Sequence, residues 1–547
     1  MRKIDWLIIF FIIVLSVFAL RDLLKPGYFT SHDGIHQVPR LYYFDQAIRD
    51  GQIPPRWAGG LLDGFGYPLF IFSYQMPWFI AEPIHLLGFS IFDSIKLTFI
   101  LGFLFSGITM FYLQKLLFGR FAAFVGTIIY LFAPFRFSNI FVRAAIGDAT
   151  IFIFPPLLLL ALLKIKERKQ INLIWISLGA IALSGMLLSH AMVAVFYFLC
   201  FALYIFYTIL LSHNRKIIFT SSIILLLLAF CLSGYYLIPS FWERNLTRFV
   251  EIMGPVHIGN KFISLSKLIY SPWGYGTVDA YEGAMSLQVG IAQWFVAFIA
   301  AIILIKSIIK KGKAKYSDGI FFLCIFILSI ILMLKISLPF WKVLSNIVIV
   351  DFPWRILSLT VFSVSILAGF AISMVHSKVF KFVIALIFLT LAFYANRNHL
   401  RINQSLDWPL DFYLKLEKTT NTYDEYTPKW VQSEAIKKFT TKVESAITGA
   451  KINIDKNKSN YLSFVFDAPA DGVVRINTVY YPGWQVFVDG KRTEVSYGSG
   501  LIEFQVKKGK SKVVSQFTET PLRQFSNLLT AAAIGFIILS FMKYKKT

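Results

Sequence analysis

The chain has 547 residues, of which 56% are hydrophobic and 15% are charged, and its mean hydropathy is +0.64. These values exclude a cytosolic enzyme, a secreted disulfide-bonded domain and a disordered tail protein. The formal net charge of +24 does not indicate nucleic-acid binding, because much of the lysine and arginine lies in short clusters between apolar runs long enough to cross a bilayer.

The first apolar run, residues 6–20, follows two cations, and we interpret it as a retained first helix because no small-residue cleavage site follows it. With its start in the cytoplasm, residues 25–90 form a large first outer loop. Within this loop, residues 67–89 are apolar enough to span but contain several prolines. If that segment lies in the outer interface, every later cationic cluster falls on the cytoplasmic side, as the positive-inside rule requires.

The sequence therefore predicts a polytopic α-helical protein of the plasma membrane with a cytoplasmic N-terminus and about 12 transmembrane helices. The expected spans are residues 5–24, 91–117, 120–137, 151–165, 171–189, 191–211, 217–239, 287–306, 318–336, 354–375, 381–396 and 522–542. The three cysteines all lie within apolar runs, so we expect neither a disulfide framework nor a cysteine-based zinc site.

Residues 397–521 differ in kind, because they are polar and show the period-two alternation that is typical of half-buried strands. The alternation predicts strands at residues 461–466, 473–479, 484–488, 501–506 and 512–517. Asp489-Gly490 predicts a hairpin turn. We expect a small extracytoplasmic β-sandwich at 397–521, between a transmembrane domain at 1–396 and a final helix with a basic tail at 522–547.

Asp33 follows closely on the first helix, so we expect it just above the hydrocarbon boundary, where it can act on a substrate presented from the lipid. A carboxylate there can be a general base toward an acceptor hydroxyl, or a ligand for a divalent cation together with His32 and His36. The competing interpretation is a helix N-cap, in which Asp33 or Ser31 accepts hydrogen bonds from the free amides of a following helix. The residues alone leave these roles open.

Besides His32 and His36, four further residues are candidates for substrate binding. Arg56 follows two prolines in the first outer loop and contacts either lipid phosphate or substrate. Arg143, with Asp148 five residues later, lies near the outer end of the third helix, and Arg355 opens the tenth helix. A guanidinium at this depth needs an anion nearby, which Asp148, Asp351, a lipid headgroup or the phosphate of a lipid-linked substrate can provide.

Several motifs resemble a family of bacterial and archaeal multispanning proteins labelled "membrane protein, 6-pyruvoyl-tetrahydropterin synthase-related domain". They are Ser31-His32-Asp33-Gly34 with His36, Gly51 to Trp57, Gly64 to Pro68, Phe352-Pro353-Trp354-Arg355 and Glu425 to Trp430. Tyr480 to Trp484 with Asp489-Gly490 is similar to the C-terminal domain of YfhO-type membrane proteins. Both groups resemble the GT-C superfamily of glycosyltransferases. Nothing in the chain resembles the soluble pterin enzyme, so the label does not indicate an activity.

The resemblance implies a GT-C-like fold in which an acidic residue of the first outer loop serves catalysis. A polyprenyl-phosphate sugar would enter from the outer leaflet, and the acceptor would be an envelope glycan or lipid. Asp33 matches the acidic position, and Arg143 with Asp148 resembles a second outer motif, with aspartate where the family leads us to expect glutamate. Arg355 fits a donor-phosphate contact by analogy. The alternatives are a transporter or flippase of lipid-linked saccharide and a non-catalytic envelope assembly protein.

Overall fold

The computed structural model describes residues 3–253, 261–278, 280, 282–311, 317–344, 352–416, 418–421 and 423–544. Asp351, which the sequence offers as a partner for Arg355, lies outside these residues.

Helices form most of the described chain. In chain order they are α1 Lys3–Ala19, α2 Gly34–Arg49, α3 Leu69–Phe72, α4 Met76–Leu86, α5 Ile91–Phe118, α6 Arg120–Leu131, α7 Pro134–Phe137, α8 Ile146–Ile151, α9 Phe154–Lys166, α10 Leu173–Ser189, α11 Ala191–Leu211, α12 Arg215–Leu232, α13 Gly234–Glu243, α14 Phe249–Met253, α15 Leu265–Ile269, α16 Ile291–Lys311, α17 Ser317–Met333, α18 Leu338–Leu344, α19 Leu357–Met374, α20 Lys378–Asn396, α21 Leu410–Leu416 and α22 Pro521–Tyr544.

The prediction of a multi-pass helical membrane protein is confirmed, and a helix occupies each of the twelve predicted positions. By length and apolar composition, eight helices of the described chain can cross a membrane, or ten if two bent helix pairs are counted as single spans. The count of ten is two below the predicted twelve because α1 and α10 are not included. Each of these helices has only 17 residues. A helix rises about 1.5 Å per residue, so both are slightly short for a roughly 30 Å core.

Residues 25–90, which the sequence predicts as the first outer loop and which keep that name below, contain short helices. Residues 67–89, which are apolar enough to suggest a span, form the four-residue α3 and the eleven-residue α4. At about 1.5 Å per residue, neither helix is long enough to cross the bilayer. This agrees with the prediction that the segment does not span.

The C-terminal strands form two antiparallel sheets. The strands of the described residues are β1 Tyr28–Phe29, β2 Ser405–Leu406, β3 Val443–Ser445, β4 Lys451–Lys458, β5 Tyr461–Ala468, β6 Gly472–Val479, β7 Trp484–Val488, β8 Lys491–Thr493, β9 Leu501–Val506 and β10 Gly509–Phe517. A five-stranded sheet has the order β4-β5-β10-β7-β8, and a three-stranded sheet has the order β3-β6-β9. Asp489 and Gly490 both have positive φ, which is the backbone of a type I′ hairpin turn between β7 and β8.

The β-sandwich is packed directly against the first outer loop. Trp57 and Phe65 of the loop belong to the same buried apolar cluster as Phe464 and Val486 of the sandwich. The amide of Val479 donates a 2.9 Å hydrogen bond to the carbonyl of Phe65. In addition, β1 pairs with β2 and so joins the start of the loop to the segment after α20. The first outer loop is therefore a packed layer between the helical bundle and the sandwich.

Two carboxyl groups lie close together where α2 meets α4. Glu82 of α4 is buried, and Asp45 of α2 forms a 2.6 Å ion pair with Arg49. Burial and then the negative charge of Asp45 raise the pKa of Glu82 from 4.5 to about 7. Glu82 therefore holds a proton in the folded protein at pH values at which it is ionised in the unfolded chain.

We expect the thermal stability of the protein to fall as the pH rises from about 4.5 to about 7, because the folded state binds more protons than the unfolded state in this window. Glu82→Gln should remove this part of the pH dependence, since glutamine does not titrate. Tm measured by intrinsic fluorescence from pH 4 to pH 9 tests the expectation. Glu167→Gln, at an exposed ion pair, is the control and should keep the slope of the wild type.

Candidate functional site

A polar cavity of about 180 Å³ lies where the first outer loop meets the ends of several helices and the segment after α21. Its walls come from parts of the chain that are far apart in sequence. The lining residues are Asp33, His36, Gln37, Arg40, Tyr74, Arg143, Ala145, Gly147, Asp148, His190, Arg355, Thr420, Asn421 and Glu425. Five of the seven predicted site residues are among them: Asp33, His36, Arg143, Asp148 and Arg355.

Asp33 is held in the cavity wall by its backbone. Its amide donates a 2.8 Å hydrogen bond to the carbonyl of Arg143, and the amide of His32 donates to the carbonyl of Val142 at 3.0 Å. Gln37, one turn into α2, donates to the carbonyl of Ala144 at 3.1 Å. These bonds fix the start of α2 against the π-helical turn Ser138–Arg143.

The side chain of Asp33 does not cap α2. Asp33 occupies the position before Gly34, but its carboxylate accepts no hydrogen bond from the first amides of the helix. The side chain is 41% exposed, and Arg143 Nη2 lies 3.9 Å from Asp33 Oδ2. The geometry therefore disfavours the N-cap role. It leaves the carboxylate of Asp33 accessible, with the guanidinium of Arg143 as its neighbour.

Asp148 is the centre of the charged network in the cavity. Its Oδ2 accepts a 2.5 Å hydrogen bond from Arg143 Nη1, and Arg355 Nη1 lies 3.2 Å from Oδ1. Arg355 Nη1 also lies 2.7 Å from Nε2 of His190. One buried carboxylate thus positions two guanidinium groups, which gives the network an excess of positive charge beside Asp33.

Arg40 joins α2 to the segment after α21. Its Nη2 donates a 2.6 Å hydrogen bond to the carbonyl of Thr420, and its Nε donates to the Thr420 hydroxyl at 3.1 Å. Tyr74 stacks on the ring of His190 with 5.8 Å between ring centroids. Burial raises the pKa of the Tyr74 phenol, so Tyr74 is a neutral donor at pH 7.

The cavity also holds acceptor oxygens without a donor. Within the described chain, Gln37 Oε1, Asn421 Oδ1 and Glu425 Oε2 are buried and have no hydrogen-bond partner. The other carboxylate oxygen of Glu425 accepts a 2.8 Å hydrogen bond from Asn421. Buried acceptors of this kind are satisfied by a ligand or solvent that provides N–H or O–H groups. A hydroxyl-rich substrate meets that requirement.

The two histidines of the predicted motif are separated. His36 lines the cavity, and burial together with Arg40 lowers its pKa to about 4, so it is neutral at pH 7. His32 Nε2 instead lies 2.9 Å from the carbonyl oxygen of Tyr275. The two side chains do not share a helix, because α2 begins at Gly34, after His32.

The predicted metal set of Asp33, His32 and His36 is not assembled. No group of three or more His, Cys, Asp and Glu side chains in the described ranges is placed to hold a metal ion. His32 contacts the Tyr275 carbonyl, and the charge next to Asp33 is the guanidinium of Arg143. These contacts do not fit a divalent cation at Asp33.

Arg56, which the sequence offers for substrate binding, is not among the residues that line this cavity. Its guanidinium donates to Glu519 at 3.0 Å, to the carbonyl of Tyr235 at 2.7 Å and to Asn527 at 2.9 Å. All of its donor nitrogens are therefore committed to the protein. Arg56 fastens the first outer loop to α13 and α22.

Some residues of the cavity were not among the predicted site residues. His190 is the break between α10 and α11, and a helix break within an apolar stretch is the signal by which it can be recognised. Glu425 lies in a motif that carries the family resemblance. Arg40 and Tyr74 give no comparable signal, because isolated arginine and tyrosine are common at membrane interfaces.

Comparison with family models and with curated proteins finds no match, so the two resemblances drawn from the motifs stay predictions. Comparison with solved structures finds similar folds at low sequence identity. The arabinofuranosyltransferase AftD from Mycobacteria matches with a TM-score of 0.49 and 12% identity over 75% of this chain and 28% of that chain. This chain therefore spans little more than a quarter of the length of AftD.

ArnT from Cupriavidus metallidurans also matches this chain. The structure bound to undecaprenyl phosphate has a TM-score of 0.41 and 15% identity over 75% of this chain and 68% of that chain. The apo structure has a TM-score of 0.37 and 12% identity over 75% and 67%. No residue role follows from similarities this distant.

Proposed function

We propose that the protein is a membrane glycosyltransferase that moves a sugar from a polyprenyl-phosphate donor to a hydroxyl of an envelope glycan or lipid on the extracytoplasmic side. The observation that carries the proposal is the accessible carboxylate of Asp33, which lies 3.9 Å from Arg143 in one cavity with Asp148 and Arg355. A base and phosphate-binding cations are the groups that such a transfer requires.

The position of the cavity along the helices supports the extracytoplasmic side. Asp148 lies at the start of the α8–α9 segment, whose other end carries Lys164 and Lys166. Arg355 precedes α19, and Lys378 follows the opposite end of that helix. The cavity is thus at the ends of these helices that are remote from the basic clusters. The positive-inside rule assigns the basic ends to the cytoplasm.

The proposed reaction needs no nucleotide. Asp33 takes the proton of the acceptor hydroxyl as the hydroxyl oxygen attacks the anomeric carbon of the donor. The bond from the anomeric carbon to the phosphate oxygen breaks, and the electron pair stays on the departing polyprenyl phosphate. Arg143 and Arg355 neutralise the charge that develops on this phosphate. The orphan oxygens of Asn421 and Glu425 accept hydrogen bonds from sugar hydroxyls.

Arg355→Lys should raise the KM for the donor about tenfold and leave the KM for the acceptor unchanged, because lysine loses the planar fork that contacts Asp148 and phosphate. Initial rates at varied donor concentration measure the effect. Arg397→Lys is the control, since the Arg397 side chain is outside the cavity and bonds the carbonyl of Tyr394. An unchanged donor KM in Arg355→Lys would remove Arg355 from the phosphate site.

The direct test uses protein reconstituted in liposomes with radiolabelled polyprenyl-phosphate sugars and envelope extracts as acceptors. Transfer is shown by label that leaves the donor lipid and appears covalently in the acceptor. A transporter would move the labelled lipid between leaflets with its phosphodiester bond intact, and an assembly protein would do neither. Either of those outcomes would reject the proposed transferase.

A further inference from the structure

A second polar cavity lies between the first outer loop and the β-sandwich. Its volume is about 280 Å³, close to the lower end of the roughly 300 to 1,000 Å³ that is typical of small-molecule sites. We call it the interdomain cavity. The residues that matter for its chemistry are Gln46, Trp57, Lys442, Asn457, Trp484 and Ser515.

Three residues that line the interdomain cavity each have a buried polar atom with no partner in the described chain: Trp484 Nε1, Ser515 Oγ and Gln46 Oε1. The side chains of Trp484 and Ser515 are more than nine-tenths buried. Together the three atoms present an N–H donor, a hydroxyl and an amide acceptor, and a buried polar atom left unpaired costs stability. A ligand with alternating donors and acceptors, such as a sugar, can satisfy all three.

The remaining lining argues for a neutral ligand. The rings of Trp57 and Trp484 meet edge to face at 5.7 Å, so this part of the lining is aromatic and uncharged. Lys442 donates 2.7 Å hydrogen bonds to the carbonyls of Gly64 and Asn477. Burial lowers the pKa of Lys442 to about 7, and Lys458 lies 3.8 Å from Asp50. The cationic groups are thus engaged within the protein or only partly charged at pH 7.

The interdomain cavity is separate from the cavity that Asp33 lines. Gln46 and Asp33 are 13 positions apart along α2, which at about 1.5 Å per residue places them about 20 Å apart. Trp484 also borders an open depression of about 370 Å³, which Tyr480, Gln485 and Arg492 line as well. Trp484 therefore borders both the interdomain cavity and this depression.

We propose that the interdomain cavity is a saccharide-binding site that holds a unit of a neutral glycan against Trp57 and Trp484. The site goes beyond the proposed transfer reaction, because binding here needs neither Asp33 nor the donor lipid. It gives the β-sandwich a role in recognising a glycan about 20 Å from the reacting groups.

Binding can be measured on the full-length protein in a detergent without a sugar headgroup. The probes are neutral tetrasaccharides built from glucose, mannose or galactose, titrated by calorimetry, with inorganic phosphate as the anionic control. We expect at least one tetrasaccharide to bind with a submillimolar Kd and phosphate not to compete. Ser515→Ala and Trp484→Phe should each weaken binding about tenfold, since each removes one hydrogen-bonding group.

Both variants should fold, because neither breaks a hydrogen bond within the described residues and phenylalanine keeps an aromatic ring in the apolar cluster. Trp430→Phe is the matched control: it removes the 2.9 Å hydrogen bond from Trp430 to the Tyr480 carbonyl, so Tm should fall while saccharide affinity stays. Failure of every tetrasaccharide to bind at millimolar concentration, or equal affinity in wild type, Ser515→Ala and Trp484→Phe, overturns the proposal. Asp33→Asn should bind as wild type does, so the outcome is independent of the transferase assignment.

Discussion

Asp33→Asn should reduce sugar transfer at least 100-fold while leaving the protein folded. A positioned general base contributes about 10² to 10⁴ in rate, and asparagine cannot accept the acceptor proton. The fold should tolerate the change, because the bonds that position residue 33 run through its backbone amide and its carboxylate caps no helix. The loss should appear in kcat, with little change in the KM for either substrate.

The measurement is the initial rate of label transfer by reconstituted variants at equal protein amounts, with Tm as the test of folding. Asp63→Asn is the matched control, since Asp63 belongs to the same outer loop and forms an exposed 3.6 Å ion pair with Lys418. Asp63 has positive φ, a conformation that asparagine also tolerates. Equal transfer by wild type and Asp33→Asn would end the assignment of Asp33 as the base.

The strands that alternation predicts are those with one buried face. In β5, Leu462, Phe464 and Phe466 are buried in the sandwich core, so large apolar residues recur at every second position of the sequence. The alternation does not predict β4, because its residues are exposed or half-buried on both faces and most of them are polar. β3 and β8 have three residues each, too few for a period to show.

The candidate site could be predicted only in part, for a related reason. The sequence predicts that Asp33, Arg143 and Arg355 lie on one side of the membrane, because each is near the outer end of a predicted span. Span ends can be read from the order of residues alone. Arg56 lies in a loop predicted on the same side of the membrane, but the group that neutralises it, Glu519, is 463 residues away. A sequence cannot distinguish an arginine that meets phosphate from one that meets a distant carboxylate, because both are cations at the membrane boundary.

Glu243→Gln should lower the free energy of unfolding by about 3 to 5 kcal/mol, the usual cost of leaving one member of a buried ion pair unpaired. Arg523 of α22 is fully buried and donates 2.8 and 2.6 Å hydrogen bonds to the two carboxylate oxygens of Glu243 in α13. Tyr481, just before β7, donates to the same carboxylate at 3.1 Å. This pair therefore joins the final helix, the bundle and the sandwich.

Chemical denaturation in detergent, followed by intrinsic fluorescence, measures the loss. Glu503→Gln is the control, because its ion pair with Arg475 is on the surface of the sandwich and should contribute about 1 kcal/mol or less. Adding Arg523→Met to Glu243→Gln should recover much of the stability, since the unpaired charge that causes the loss is then gone. A loss in Glu243→Gln no larger than that in Glu503→Gln would mean that the pair does not hold the three parts together.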